Sequence, residues 1–93
     1  MEFEWDDAKA ASNLRKHGVS FEEALSIFDD PLAAIFDDEE HSQGERREII
    51  IGHSDRHRLV LACFTERSGR VRIISARLAV RREREDYEKN ARF

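Results

Sequence analysis

The chain has little of what builds disulfide scaffolds, flexible linkers or membrane spans. Its one cysteine, Cys63, excludes an intramolecular disulfide and a thiolate metal cluster. It lies in the apolar run LVLACF and reads as a small core hydrophobe. One proline and four glycines are too few for a flexible linker, and there is no repeat or low-complexity segment. No apolar run approaches the roughly 20 residues of a membrane span. The opening MEFEWDD lacks the basic start and apolar stretch of a signal peptide, so a cytoplasmic location with no membrane contact is expected.

What is abundant is charge. Of 93 residues, 39% are charged and 40% hydrophobic, which suits one domain over 1–93 with a small core. The net charge of −4 conceals two unlike halves. Residues 1–44 hold three Lys/Arg against twelve Asp/Glu, a net of −9, while residues 45–93 hold thirteen against eight, a net of +5. A basic face for an anionic partner and an acidic face for a basic one would give this asymmetry, as would a well-solvated surface.

Periodicity orders the elements. EFEW alternates as a short strand with Phe3 and Trp5 on one side, Trp5 being a core residue. DDAKAASNLRKHG reads as a helix with Asp6 as N-cap and Gly18 as C-cap. SFEEALSIF opens a second helix on a capping box of Ser20 and Glu23, ended by Pro31. A short strand at Ala33 to Phe36 precedes the polar loop DDEEHSQGE. RREIIIGHS, RLVLACFTE and VRIISAR are three strands joined by the turns HSDRH and RSGR, hence antiparallel neighbours. A last helix runs from about Leu78 to Asn90. The order βααββββα predicts an α+β fold: a four- to five-stranded, largely antiparallel sheet carrying its helices on one face.

Several chemistries drop out. His53 and His57 are four apart but flank a turn, so they do not share a zinc as helix neighbours do, and no other metal ligand set is seen. No glycine-rich phosphate loop or nucleophile elbow is present, and no cofactor is implied. What remains suits phosphate. Arg67, Arg70, Arg72, Arg77, Arg81, Arg82 and Arg84 fall within eighteen residues, and guanidinium groups give bidentate donors to phosphate oxygens. Strand alternation keeps them from all sharing one groove. Arg77, where strand gives way to helix, either faces a cleft or pairs with Glu83. Lys16 and His17 either serve the helix macrodipole or handle a phosphate and a proton. Tyr87 either packs or stacks on a base.

The segments EWDDAKAASNLRKHGVSFEEA, IGHSDRHRLVLACFTERSGRVRIISAR and RRERED with the following Tyr87 resemble the BrnT family of type II toxins, from Phe3 to about Glu88. The resemblance implies a RelE-like fold and RNA cleavage without a metal. It implies a BrnA-like partner, a ribbon-helix-helix antitoxin that neutralises the toxin, forms a heterotetramer of two toxins and two antitoxins, and makes most of the contact with operator DNA. Carried over motif by motif, it marks Lys16 and His17 in KHG, Glu66 and Arg67 in TER, Arg77 in ISAR, and Glu83 and Tyr87 in the last helix. The DDEE loop and the tail KNARF receive no role.

The expected reaction is attack of a ribose 2′-oxygen on the adjacent phosphate. Arg77 and Arg67 would hold the phosphate, His17 or Glu83 would move protons, and Lys16 and Tyr87 would position RNA or support the leaving group. The alternative from another class is an inactive module of the same fold that only pairs with a DNA-binding partner. Direct DNA reading by this chain is weaker, because it has no helix-turn-helix or basic heptad pattern.

Overall fold

The computed structural model describes residues 2–90. Residue 1 and residues 91–93, to which the expected single domain over 1–93 extends, lie outside the described residues, as does the end of the tail KNARF. The elements are β1 (Glu2–Glu4), α1 (Asp7–His17), α2 (Phe21–Ser26), β2 (Ala34–Asp37), β3 (Glu48–His53), β4 (Leu59–Arg67), β5 (Arg70–Leu78) and α3 (Arg81–Asn90), in the expected βααββββα order. The sheet runs β1-β5-β4-β3-β2; only β1 and β5 are parallel. The last helix begins at Arg81, later than expected, because Leu78 still pairs with Val60 in the sheet.

Local chemistry sets the helix ends. Asp6 accepts hydrogen bonds from the N–H groups of Ala8 and Lys9 at 2.8 and 3.1 Å, closing the N-terminus of α1. Gly18 takes φ 69°, a conformation that costs glycine least, and its N–H reaches Leu14 O at 2.9 Å. Ser20 caps α2 through Glu23 N–H at 3.0 Å. The reciprocal half of the expected capping box does not form. The buried Glu23 carboxylate instead accepts from Ser54 Oγ at 2.7 Å and Arg58 Nε at 2.9 Å on one oxygen and from Arg58 Nη2 on the other, so that both of its oxygens are satisfied.

Alternation along the strands divides the core. Val60, Ala62, Phe64, Ile50, Val71 and Ile73 meet α1 and α2 on one face, joined by Phe3 and Trp5. Ile49, Ile51, Leu59 and Leu61 meet Tyr87 of α3 on the other. The helices therefore cover both faces, which corrects the one-face expectation: β3 and β4 carry apolar residues at consecutive positions, and both sides need cover. Gly52 of β3 lets the chain after α2 come close. A Cβ there would stand 3.1 Å from Ala33 Cβ and 3.2 Å from both Asp30 Oδ2 and Ile27 O.

Candidate active site

One departure from strand regularity shapes the site. β4 and β5 pair as Phe64↔Ile73 and then Cys63↔Ser75, so Ile74 is an extra residue in a β-bulge. Unbroken alternation from the core residues Val71 and Ile73 would have sent Ser75 and Arg77 into the α1/α2 core. The bulge turns both to the opposite face, beside Cys63 and Leu61, and gives Ala76 to the core.

Asn13 then brings α1 to this point. Its buried side chain donates to Ala76 O at 2.7 Å and Val19 O at 3.0 Å, and accepts from Ala76 N–H at 3.1 Å. A helix side chain thus bonds to the β5 backbone as a neighbouring strand would, and the α1 C-terminus with Lys16 and His17 is held next to Arg77. The third wall comes from the loop between β2 and β3. Asp38 N–H bonds Arg47 O at 2.9 Å, and Ser42 Oγ accepts from Arg47 N–H at 3.0 Å and donates to Asp38 O at 2.6 Å.

The cleft between these walls has a volume of about 380 Å³ and is lined by His17, Asp38, His41, Arg47, Ser75 and Arg77 over a floor that includes Leu61, Ala62 and Cys63. It continues past His17 and Ser75 into a shallower depression lined by Lys9, Ser12 and Lys16. Four permanent cations, Lys9, Lys16, Arg47 and Arg77, line one path, and Asp38 is its carboxylate. Cys63 lies on the cleft floor rather than in the core. Burial, then the nearby Asp38 carboxylate, pushes its thiol up to about 11, so it stays protonated and is a poor nucleophile.

Arg77 binds Glu83 with two parallel bonds of 2.8 Å, Nη1 to Oε1 and Nη2 to Oε2. Glu83 also accepts from Val80 N–H at 2.9 Å. The guanidinium holds the Glu83 carboxyl below the usual range, which makes it a weak proton acceptor. Tyr87 is buried, and its hydroxyl donates to Asp30 Oδ2 at 2.8 Å. Burial, then Asp30, pushes the phenol up to about 12. It faces a separate apolar concavity of about 540 Å³ between β2 and α3, lined by Leu32, Phe36, Ile51 and Leu61 among others.

Of the residues marked from sequence, the structure brings together Lys16, His17 and Arg77, with Glu83 behind Arg77. Glu66 and Arg67 stand apart: Arg67 is six residues along β4 from the partner of Arg77, roughly 20 Å away. Arg67 bonds Glu45 at 2.7 Å, and Glu66 lines a separate, open depression with Glu45. Five of the seven arginines of the run sit in pairs: Arg67 with Glu45, Arg70 with Glu2, Arg72 with Glu4, Arg77 with Glu83 and Arg81 with Glu85. Sequence reading missed Asp38 and His41, which lie in the segment read as a polar loop, and Arg47, which reads as the start of a strand but precedes β3. Among the described residues, no three His, Cys, Asp or Glu side chains form a group that could hold a metal ion.

A five-stranded sheet covered on both faces, with a cation-lined cleft beside a bulged strand, defines a small α+β protein equipped for an anionic ligand. The profile of the ribonuclease toxin BrnT of type II toxin–antitoxin systems matches residues 5–83, and the chain belongs to this family. It is a ribonuclease toxin of a type II system and therefore has an antitoxin partner. The 1.1 Å crystal structure of the Brucella abortus ribonuclease toxin BrnT superposes with a TM-score of 0.63 at 25% identity, over 87% of this chain and 99% of that one. No curated protein matches. No helix among the described residues is long and apolar enough to cross a membrane.

Proposed function

We propose that the chain cleaves RNA without a metal ion, in the cleft between the end of α1, the bulged strand β5 and the β2–β3 loop. A ribose 2′-oxygen attacks the adjacent phosphorus, and the 5′-oxygen leaves. The single observation that carries this reading is the convergence of Lys9, Lys16, Arg47 and Arg77, from three separate parts of the chain, along one path in a protein of net charge −4. Such a path neutralises successive phosphates of a single strand.

Arg77 and Arg47 stabilise the charge that builds on the phosphate oxygens. Glu83 is a positioning residue that fixes the Arg77 fork, and His17 moves a proton. Lys16 and Lys9 guide the strand. Tyr87 acts at a distance by seating α3, while Glu66 and Arg67 lie outside the reaction. The antitoxin is a BrnA-like ribbon-helix-helix protein that joins the toxin in a heterotetramer and contacts operator DNA, and the toxin works on RNA in the cytoplasm.

The test is cleavage of a structured RNA by Arg77→Ala at saturating RNA. A loss of about 10² or more in rate is expected for removal of a transition-state donor. Cleavage equal to wild type would remove Arg77 from this role and the cleft from the reading.

A further inference from the structure

We propose that His41, held by Asp38, is a second catalytic residue of the cleft: it takes the proton of the ribose 2′-hydroxyl, while His17 protonates the leaving 5′-oxygen. This rests on the ribonuclease reading of the same cleft.

The geometry is that of an oriented imidazole. His41 Nδ1 lies 2.9 and 3.1 Å from the two oxygens of Asp38. The Asp38 side chain is only 11% exposed and the His41 ring 61%, so a sheltered carboxylate holds a ring that solvent and substrate can reach. With Nδ1 engaged, Nε2 is the nitrogen free to work, and the carboxylate fixes the orientation of the ring. A pair three residues apart on a surface turn is ordinarily a weak ion pair. Two further features take this one beyond that. The loop is closed by Ser42 and the Asp38 to Arg47 bond, which fixes the turn carrying the ring. His41 also lines the same cleft as His17, Arg47 and Arg77.

Metal-free transesterification needs two proton carriers, and the alternatives to His41 are occupied. Glu83 is bound to Arg77, and the Cys63 thiol stays protonated. The charged and titratable groups around the ring are Asp38, Glu39 and Glu40 on its own turn, Arg47 at the loop end, Cys63 on β4, Arg77 on β5 and His17 on α1. In the step itself, the 2′-hydroxyl proton passes to His41, the 2′-oxygen bonds phosphorus, the P–O5′ bond breaks and the 5′-oxygen takes the His17 proton. The products are a 2′,3′-cyclic phosphate and a 5′-hydroxyl. Solvent then returns both rings to their starting states, and no co-reactant is consumed.

The test is single-turnover cleavage of a structured RNA transcript by the full chain from pH 5 to 9, with His41→Ala, His41→Gln, Asp38→Asn and Arg77→Ala beside wild type. Wild type gives a bell-shaped profile. His41→Ala falls about 10²-fold, loses the acidic limb and is partly rescued by added imidazole. Asp38→Asn falls less and shifts that limb. His41→Gln, which cannot carry a proton, behaves as the alanine variant and serves should the latter misfold. A folded His41 variant within twofold of wild type, with both limbs intact, overturns the proposal while loss in Arg77→Ala leaves the cleft reading standing. Full activity of Arg77→Ala overturns both.

Discussion

At the scale of single residues, Asn13 does most to assemble the site, although its side chain carries no chemistry. A helix and a strand have no backbone means of bonding to one another, and the carboxamide of Asn13 supplies one, with a donor and an acceptor for Ala76 and a second donor for Val19. Asn13→Ala leaves three buried backbone groups without these partners. The expected cost is about 2 kcal/mol or more, which would lower Tm by roughly 10 °C in a domain of this size. Thermal unfolding of the variant checks this, and an unchanged Tm would mean that water or backbone movement replaces all three bonds. Arg77 shows the reverse case, a residue whose partner Glu83 explains its orientation but not its chemistry.

At the scale of elements, α3 is the most loosely attached. Of its described side chains only Tyr87 is buried, and the rest is polar or charged around the whole helix. Two anchors hold it: the Tyr87 bond to Asp30 and the Arg77–Glu83 fork. Amide hydrogen exchange is expected to show α3 opening well before β4, whose strand is central and paired on both sides. Equal protection in the two would contradict this. Legibility from sequence followed the same boundary between local and distant causes. Both N-terminal helices, their Asp6, Gly18 and Ser20 caps, and the hairpin at Ser68 and Gly69 were readable, because each signal lies within a few residues of what it controls. The bulge at Ile74 was not readable, because it exists only in the register with β4, and it decides which face receives Arg77. Glu23 resembled half of a capping box until Arg58 and Ser54, more than thirty residues away, took its carboxylate. The part of His41 was not readable because a polar loop shows no sign of where it closes, and that of Arg47 because it reads as the start of a strand.

At the scale of the whole molecule, charge sets both stability and function. Glu23 is held below the ordinary value first by Arg58, and Glu83 first by Arg77. At Asp30, burial pushes the carboxyl up, but hydrogen bonds from His53 N–H, Leu32 N–H and Tyr87 offset this and leave it lowered. Carboxylates with lowered values stabilise fully above their unfolded values of 4.5 for Glu and 3.8 for Asp, and lose that contribution as pH falls through the folded ones. Tm is therefore expected to stay level down to about pH 5 and to fall steeply below it. Arg58→Ala, by leaving a buried carboxylate unpaired, should cost about 3 kcal/mol near neutral pH and, because Glu23 then has no lowered value to lose, make the acid fall shallower so that the two curves converge at low pH; a constant offset at every pH would contradict the assignment. For function, the same net-acidic molecule keeps one cation-lined path, and the central claim is that RNA is cut there without a metal ion. The most direct measurement is end-group analysis of RNA treated with the purified, antitoxin-free chain in excess EDTA. Fragments ending in a 2′,3′-cyclic phosphate, opposite a 5′-hydroxyl, are the expected result. Cleavage that requires added metal, or that leaves 3′-hydroxyl and 5′-phosphate ends, would contradict it.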